Sequence, residues 1–182
     1  MKPIAVYCGA SHGAKPLYAD AARALARALV EHNIALVYGG GKVGLMGVIA
    51  DEVLRLGGEV TGVIPRALVE REVGHAGLTR LFVVKDMHER KAMMADLAEG
   101  FIAMPGGMGT LEELFEMITW AQLGIHAKPI GLLNVDGFYD ALMAFVRHQE
   151  GEGFVRPAHA ALMNVEADPE ALVRTLRALR QA

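Results

Sequence analysis

Residues 101–113 read FIAMPGGMGTLEE, and this stretch decides the fold. Residues 101–104 are apolar throughout, which is typical of a strand buried on both faces of a parallel sheet. Three glycines follow within four positions, at Gly106, Gly107 and Gly109, and a helical pattern begins near Thr110. A buried strand, a glycine-rich turn and a helix in this order predict a βα unit whose turn lies at the carboxyl edge of a parallel sheet.

The rest of the chain repeats this alternation. Further apolar runs lie at 4–7, 34–38, 60–64, 81–84 and 130–133, and helical patterns occupy 16–31, 45–56, 86–98, 110–123, 137–149 and 169–180. We therefore predict a single Rossmann-like α/β domain over residues 1–182, with a doubly wound, mostly parallel sheet flanked by helices. The longest irregular stretch, 65–79, is expected to be functional, because long loops in compact domains often are.

Composition limits the classes of function. The chain has 182 residues, 53% hydrophobic and 21% charged, with a net charge of −3. This composition fits a globular protein and gives no electrostatic reason to expect a nucleic acid polymer or a membrane as partner. The single cysteine, Cys8, excludes an intrachain disulfide and favours a cytoplasmic location. The seven histidines are scattered, so we expect no metal site, and nothing in the sequence calls for a cofactor.

Three glycine-bearing loops follow predicted strands, at 9–13, 39–44 and 105–109, and should share one edge of the sheet. The first contains Ser11, which fits a hydrogen bond to phosphate, a turn, or the nucleophile of a serine hydrolase. The second matches the dinucleotide pattern, but the acidic candidate, Glu59, precedes its strand and would lie at the opposite edge. We expect the backbone of Gly40 and Gly41 to contact phosphate or ribose instead.

The third loop has two interpretations. Thr110 and Glu113 have the spacing of a capping box, in which Thr110 would be the N-cap of the helix. Alternatively, the backbone of Gly106, Gly107, Met108 and Gly109 holds an anionic ligand, because glycines allow close approach and the helix offers free N–H groups. A turn rarely needs three glycines within four positions, so the sequence favours ligand binding.

A basic pair lies upstream of this loop. Asp86 is a good N-cap for the helix that carries Arg90 and Lys91. Because the two side chains leave one turn in different directions, one of them could reach the strand ends. The alternative is a solvated basic pair.

The Arg90–Lys91 pair, the motif at 105–113 and the sequence TWAQLG at 119–124 together resemble the Lonely guy family of cytokinin riboside 5'-monophosphate phosphoribohydrolases. The resemblance implies a Rossmann-like fold, a homodimer, and hydrolysis of a nucleoside 5'-monophosphate such as AMP to free base and ribose 5-phosphate. It implies Arg90 and Glu113 as the catalytic pair. The substrate contacts it implies are Glu72, Lys91, Gly107, Met108, Gly109, Thr110, Glu112 and Thr119. Many members have two serines in the first loop, where this chain has Ala10 and Ser11.

The chemistry of the residues agrees with that reaction. A carboxylate at Glu113 can stabilise or attack a ribosyl cation-like state, or activate water. A fixed cation at Arg90 can offset the charge of the departing base, or orient the ribose or phosphate. AMP and its N6-modified derivatives are both consistent with the sequence.

Three rival functions remain. The chain could be a non-catalytic carrier of a nucleotide or a cofactor. A lysine decarboxylase would need pyridoxal phosphate on a lysine, for which the central loops offer only Lys42 and Lys91. A serine hydrolase would combine Ser11 with Asp136 and with His148 or His159.

Overall fold

The computed structural model describes residues 3–69 and 74–181. In these residues one seven-stranded sheet has the order β4-β3-β2-β1-β5-β6-β7, and neighbouring strands pair in parallel. The strands are β1 (Ile4–Tyr7), β2 (Leu36–Tyr38), β3 (Val60–Pro65), β4 (Arg80–Val84), β5 (Phe101–Ala103), β6 (Ile130–Leu133) and β7 (Met163–Glu166). The prediction of a doubly wound, Rossmann-like sheet is confirmed.

Helices cover both faces of the sheet. They are α1 (Leu17–Glu31), α2 (Gly44–Arg55), α3 (Arg66–Val69), α4 (Met87–Leu97), α5 (Met108–Gln122), α6 (Asp140–Gly151), α7 (Pro157–Ala160) and α8 (Pro169–Gln181), with a 3-10 turn at Val135–Gly137. One hydrophobic core joins the sheet to α1, α2 and α8, and a second joins it to α4, α5 and α6. Within the described ranges, none of these helices is long and apolar enough to cross a membrane.

Several predicted boundaries differ from the observed ones for local reasons. The run at 34–38 forms a strand only from Leu36, because Asn33 has φ 54° and the N–H of Ile34 still bonds Leu29 in α1. The helix predicted at 137–149 begins at Asp140, after the 3-10 turn. The stretch 65–79 contains the short helix α3. Strand β7 was missed because its sequence, MNVE, alternates apolar and polar residues over only four positions.

The strand order places a crevice between β1 and β5. Successive strands are added toward one side of β1 up to β4, and toward the other side from β5 onward. In open α/β sheets such a switch point is the usual place for a ligand. The loops after β1, β2 and β5 meet there, as predicted. The N–H of Gly9 bonds Pro105 at 3.1 Å, and the N–H of Leu45 bonds Gly9 at 3.0 Å.

Candidate active site

The turn after β5 is built around close backbone approaches. A Cβ at Gly106 would lie 2.1 Å from Oγ1 of Thr110 and 2.9 Å from the backbone nitrogen of Gly9. Only glycine leaves room for the first and third loops to touch here. Space is open beside Gly107 and Gly109, where an added Cβ would meet no atom within 4 Å. The turn is therefore closed on the protein side and open on the outer side.

Helix α5 begins earlier than the capping-box interpretation requires. Its first residue is Met108 and its N-cap is Gly107, so Thr110 lies inside the first turn and is buried. The alternative interpretation, a capping box with Thr110 as N-cap and Glu113 as its partner, is therefore wrong. The first N–H groups of a helix have no partner within it, and they carry the positive end of its dipole. The open side of the turn is thus suited to a phosphate group.

Arg90 reaches the strand ends, as one member of the basic pair was expected to do. Helix α4 starts at the predicted N-cap, where Oδ1 of Asp86 accepts the N–H of Glu89 at 2.9 Å. One turn later the guanidinium of Arg90 donates from Nε to the carbonyl of Val63 at 3.1 Å and from Nη2 to that of Gly39 at 2.9 Å. A Cβ at Gly39 would lie 1.8 Å from Nη2, so glycine is needed at this contact.

Glu113 faces this fixed guanidinium. Its Oε1 lies 3.8 Å from Nη1 of Arg90, and the side chains are 12% and 9% exposed. Burial raises the pKa of Glu113 to about 7, Arg90 lowers it, and the neighbouring Glu112 raises it further. At this distance the attraction offsets only part of the cost of removing the carboxylate from water. Near neutral pH, Glu113 can therefore both hold and release a proton.

Lys91 makes a different arrangement. Its ammonium contacts Oε1 of Glu112 and lies 3.1 Å from Oε2 of Glu116, and only 7% of its side chain is exposed. Burial by itself would lower the pKa of Lys91, but the hydrogen bonds to the two carboxylates raise it overall. In the structure Lys91 and Glu112 are partners of each other, and their expected contacts with substrate stay predictions.

Two cavities flank Gly107. The first, of about 240 Å³, is lined by Cys8, Ala10, Met46, Met87, Arg90, Gly107, Gly109, Thr110, Glu112 and Glu113. The second, of about 200 Å³, is lined by Gly9, Ser11, His12, Gly13, Tyr18, Leu45, Pro105, Gly106, Gly107 and Phe138. The structure thus brings the predicted catalytic pair, most of the glycine turn and Ser11 to one region.

Other predicted residues lie outside these linings. The carbonyl of Gly40 accepts the N–H of His75, and Gly41 pairs with Gly74 in a β-bridge. Met108 is exposed at the start of α5. The hydroxyl of Thr119, further along α5, donates to the carbonyl of Phe115. Glu72 lies outside the described residues.

Sequence reasoning missed several groups at the site. Met87 lines the first cavity one turn before Arg90, and Glu116 follows Glu113 by one turn. Helical spacing of three from the predicted pair could have found both residues. The carbonyls of Val63 and Gly39 carry no signal in the sequence, because any residue has a carbonyl.

The geometry does not favour a serine hydrolase, a Schiff base at Lys91 or a dinucleotide site. Asp136 pairs with Lys15 at 2.6 Å, away from the role it would need beside a histidine and Ser11. A Schiff-base lysine requires a lowered pKa, whereas that of Lys91 is raised. Glu59 lies before β3, at the amino edge of the sheet, which is the edge opposite the glycine loops, as predicted.

A larger cavity, of about 500 Å³, lies at the amino edge, lined by residues such as His126, Lys128, Ile130, Leu162 and Leu179. We place the site at the carboxyl edge because the buried charges converge there. In the described part of the chain, no group of three or more His, Cys, Asp or Glu side chains is arranged to hold a metal ion.

Comparison with solved structures agrees with the topology. The molybdenum cofactor carrier protein of Chlamydomonas reinhardtii is 20% identical, with a TM-score of 0.72 over 100% of both chains. The molybdenum cofactor binding protein of Rippkaea orientalis is 19% identical, with a TM-score of 0.71 over 98% of both chains. At this identity the similarity shows the fold alone.

Comparison with characterised sequences is much closer. A family model described as a possible lysine decarboxylase matches residues 46–176. The cytokinin riboside 5'-monophosphate phosphoribohydrolase LOG7 of Arabidopsis thaliana is 51% identical over 175 residues, which cover 96% of this chain and 81% of the relative. LOG2 of the same plant is 56% identical over 152 residues, 84% of this chain and 71% of the relative. The family model spans most of the chain and half of the aligned residues are identical, so this chain belongs to the family of the cytokinin riboside 5'-monophosphate phosphoribohydrolases.

Proposed function

We propose that this chain hydrolyses the N-glycosidic bond of a nucleoside 5'-monophosphate, AMP or N6-modified AMP, and releases the free base and ribose 5-phosphate. One observation carries the proposal. A buried carboxyl group with a pKa of about 7, Glu113, faces a fixed guanidinium beside a glycine turn that is open to a phosphate. The relatives are named as phosphoribohydrolases of cytokinin riboside 5'-monophosphates, which supports the N6-modified substrate.

The phosphate binds at the start of α5. The N–H groups of Met108, Gly109 and Thr110 form the first turn, and the hydroxyl of Ser11 lies in the adjoining cavity. With a net charge of −3, the chain has no overall positive field to attract an anion. The N–H groups and the helix dipole supply the affinity locally. The expected contact of Gly40 and Gly41 with phosphate or ribose stays a prediction, because their recorded contacts are with His75 and Gly74.

Glu113 activates the attacking water. In the ionised form its carboxylate accepts a proton from water, while the water oxygen bonds the anomeric carbon of the ribose. The bond from that carbon to the base nitrogen breaks, and its electron pair leaves with the base, which takes up a proton from solvent. Glu113 then releases the proton it accepted to solvent and is ionised again. A general base works best when its pKa lies near the working pH, and the pKa of Glu113 meets this condition.

Arg90 stabilises the charge that develops on the departing base. Two of its nitrogens are held by backbone carbonyls, and the third, Nη1, lies 3.6 Å from Sδ of Met87 and 3.8 Å from Glu113 in the lining of the first cavity. A charge held in place before the reaction stabilises the transition state at no reorganisation cost. Arginine stays protonated, so it acts as a fixed charge and transfers no proton.

A substrate panel tests the proposal. The chain is incubated with AMP, N6-isopentenyl-AMP and the matching nucleosides, and free base is measured by chromatography. We expect base release from the monophosphates and far less from the nucleosides, since these lack the group that binds α5. Intact AMP that nonetheless raises the melting temperature would instead support a non-catalytic nucleotide carrier.

We also propose that the chain forms a homodimer. Strand β4 is the edge of the sheet, and its residues Leu81, Phe82 and Val83 are exposed, as is Met87 at the start of α4. Exposed apolar residues along a sheet edge favour pairing with another chain. Sedimentation should give the mass of two chains, and Phe82→Glu should give the mass of one. A single-chain mass for the unaltered protein would contradict this proposal.

A further inference from the structure

His75 is a buried residue that the mechanism above does not use. Only 5% of its side chain is exposed. Its Nε2 lies 2.8 Å from Oδ1 of Asp51 on α2, and its Nδ1 accepts the N–H of Gly77 at 3.2 Å. Because Nδ1 accepts a hydrogen bond, the ring proton is on Nε2 and is donated to Asp51. The imidazole is therefore fixed in one orientation and one tautomer, and it has no free nitrogen for catalysis.

The backbone around His75 holds the second glycine loop. The N–H of His75 donates to the carbonyl of Gly40 at 3.3 Å, and Gly74 pairs with Gly41 in an antiparallel bridge. These contacts join the loop after β2 to a segment that the imidazole anchors on α2. The loop and α2 are thus linked through the segment that carries His75.

This loop in turn orients the catalytic arginine. The carbonyl of Gly39, next to Gly40, accepts Nη2 of Arg90 at 2.9 Å, and Nη1 of the same guanidinium faces Glu113. A shift of the loop would move one of the two carbonyls that hold Arg90. Displacements of about 1 Å far from the chemistry can cost an enzyme up to about a hundredfold in rate.

We propose that His75, anchored on Asp51, is a positioning residue that holds the glycine loop at 39–41 and thereby directs Arg90 toward Glu113. The inference rests on the proposed hydrolysis. It assigns His75 no contact with substrate, and it differs from a purely structural role because its effect passes through Arg90.

His32 offers a matched control. It also donates from a ring nitrogen to a carboxylate at 2.8 Å, that of Glu170, and it is largely buried. It lies at the end of α1 and joins that helix to α8, on elements that contribute none of the groups around Arg90. His32→Ala should therefore lower stability in a similar way without affecting the site.

The experiment compares turnover of AMP and melting temperature for His75→Ala and His32→Ala. We expect both to melt earlier, but only His75→Ala to lose kcat/KM, by several-fold and at most about tenfold. Equal, near-normal kcat/KM in the two variants would overturn the proposal. If the unaltered protein releases no base, the proposed function fails, and this outcome is distinct from a failure of the inference.

A double-mutant cycle tests the route through Arg90. Arg90→Lys keeps the charge but removes the bond to Gly39, so adding His75→Ala should cost less than about twofold more. A full additional loss would show that His75 does not act through Arg90.

Asp51→Ala replaces His75→Ala as the test variant if His75→Ala fails to fold, because Asp51 is an exposed residue. It should lower kcat/KM several-fold, and unaltered kcat/KM would overturn the proposal.

Discussion

Two groups of charged side chains join α4 to α5, and they differ in how closely their charges are paired. In the first, Lys91 contacts Glu112 and lies 3.1 Å from Glu116. In the second, Arg90 and Glu113 approach only to 3.8 Å, and the guanidinium makes its shorter hydrogen bonds to backbone carbonyls. Adjacent residues on one helix therefore make a close ion pair and a loose one.

The two pairs have opposite effects on proton exchange: the close pair keeps its charges fixed, and the loose pair leaves a carboxyl group that can exchange its proton near neutral pH. The close contacts of Lys91 raise its pKa and keep its charge in place. The loose pair leaves Glu113 with a pKa of about 7, well above its ordinary value of 4.5. A carboxylate held in this way is costly to bury but ready to exchange a proton. Proteins commonly accept such a loss of stability at sites of reaction.

The largest expected effect is on turnover when the loose pair loses its carboxylate. Glu113→Gln keeps the shape of the side chain but cannot accept a proton, so kcat for AMP should fall by about a hundredfold or more. AMP binding should persist, because the start of α5 is unchanged. Base release and calorimetric binding measure the two effects. Glu116→Gln, which alters the close pair, is the control and should retain most of its kcat. Normal turnover in Glu113→Gln would remove Glu113 from the mechanism.

The same variant should be more stable than the unaltered chain at high pH. The pKa of Glu113 is raised in the folded state, so the folded protein binds its proton more tightly than the unfolded chain does. The contribution of Glu113 to the free energy of unfolding is therefore fully present below about pH 4.5 and is lost as the pH rises through about 7. Glutamine has no such dependence. At pH 8, Glu113→Gln should therefore gain roughly 2 to 3 kcal/mol in the free energy of unfolding, and little at pH 4. Urea unfolding at both pH values measures this, and a gain that did not grow with pH would contradict the raised pKa.

Much of the site was predictable because its parts are local in sequence. A buried strand, three glycines and a helix start indicate an anion site wherever they occur in this order. The parallel sheet then brings three such loops to one edge. The sequence also predicted that one residue of the Arg90–Lys91 pair would point toward the strand ends, since adjacent side chains on a helix point in different directions. The capping-box alternative was wrong because α5 starts at Met108, two residues before Thr110, and helix ends are the least certain feature of a sequence pattern.

Features that depend on distant contacts were not predictable. The pKa of Glu113 results from burial between helices and from the distance to Arg90, which are set by packing. The acceptors of Arg90 are carbonyls on β3 and after β2, 27 and 51 residues away in sequence. The hydroxyl of Thr119 bonds the backbone of its own helix, and its expected contact with substrate stays a prediction. The role of Glu72 stays a prediction.

A smaller effect is expected when the arginine of the loose pair keeps its charge but loses its shape. Arg90→Lys retains a cation near Glu113, but one ammonium cannot reach the carbonyls of Val63 and Gly39 and also face the cavity. We expect kcat/KM to fall by about tenfold, with the change mainly in kcat. Steady-state kinetics of base release measure it. A rise in KM at unchanged kcat would assign Arg90 to substrate binding instead.

The smallest expected effect is that of Glu116, which belongs to the close pair, on the pKa of Glu113 in the loose pair. The carboxylate of Glu116 raises the pKa of Glu113, so Glu116→Gln should lower that pKa and move the acid limb of kcat/KM to lower pH. The shift should be small, because the charge of Glu116 is largely offset by Lys91, whose ammonium lies 3.1 Å away. Removing a negative charge cannot raise the pKa of a neighbouring carboxyl group by direct electrostatics. An acid limb that moved to higher pH in this variant would therefore mean that a group other than Glu113 titrates there.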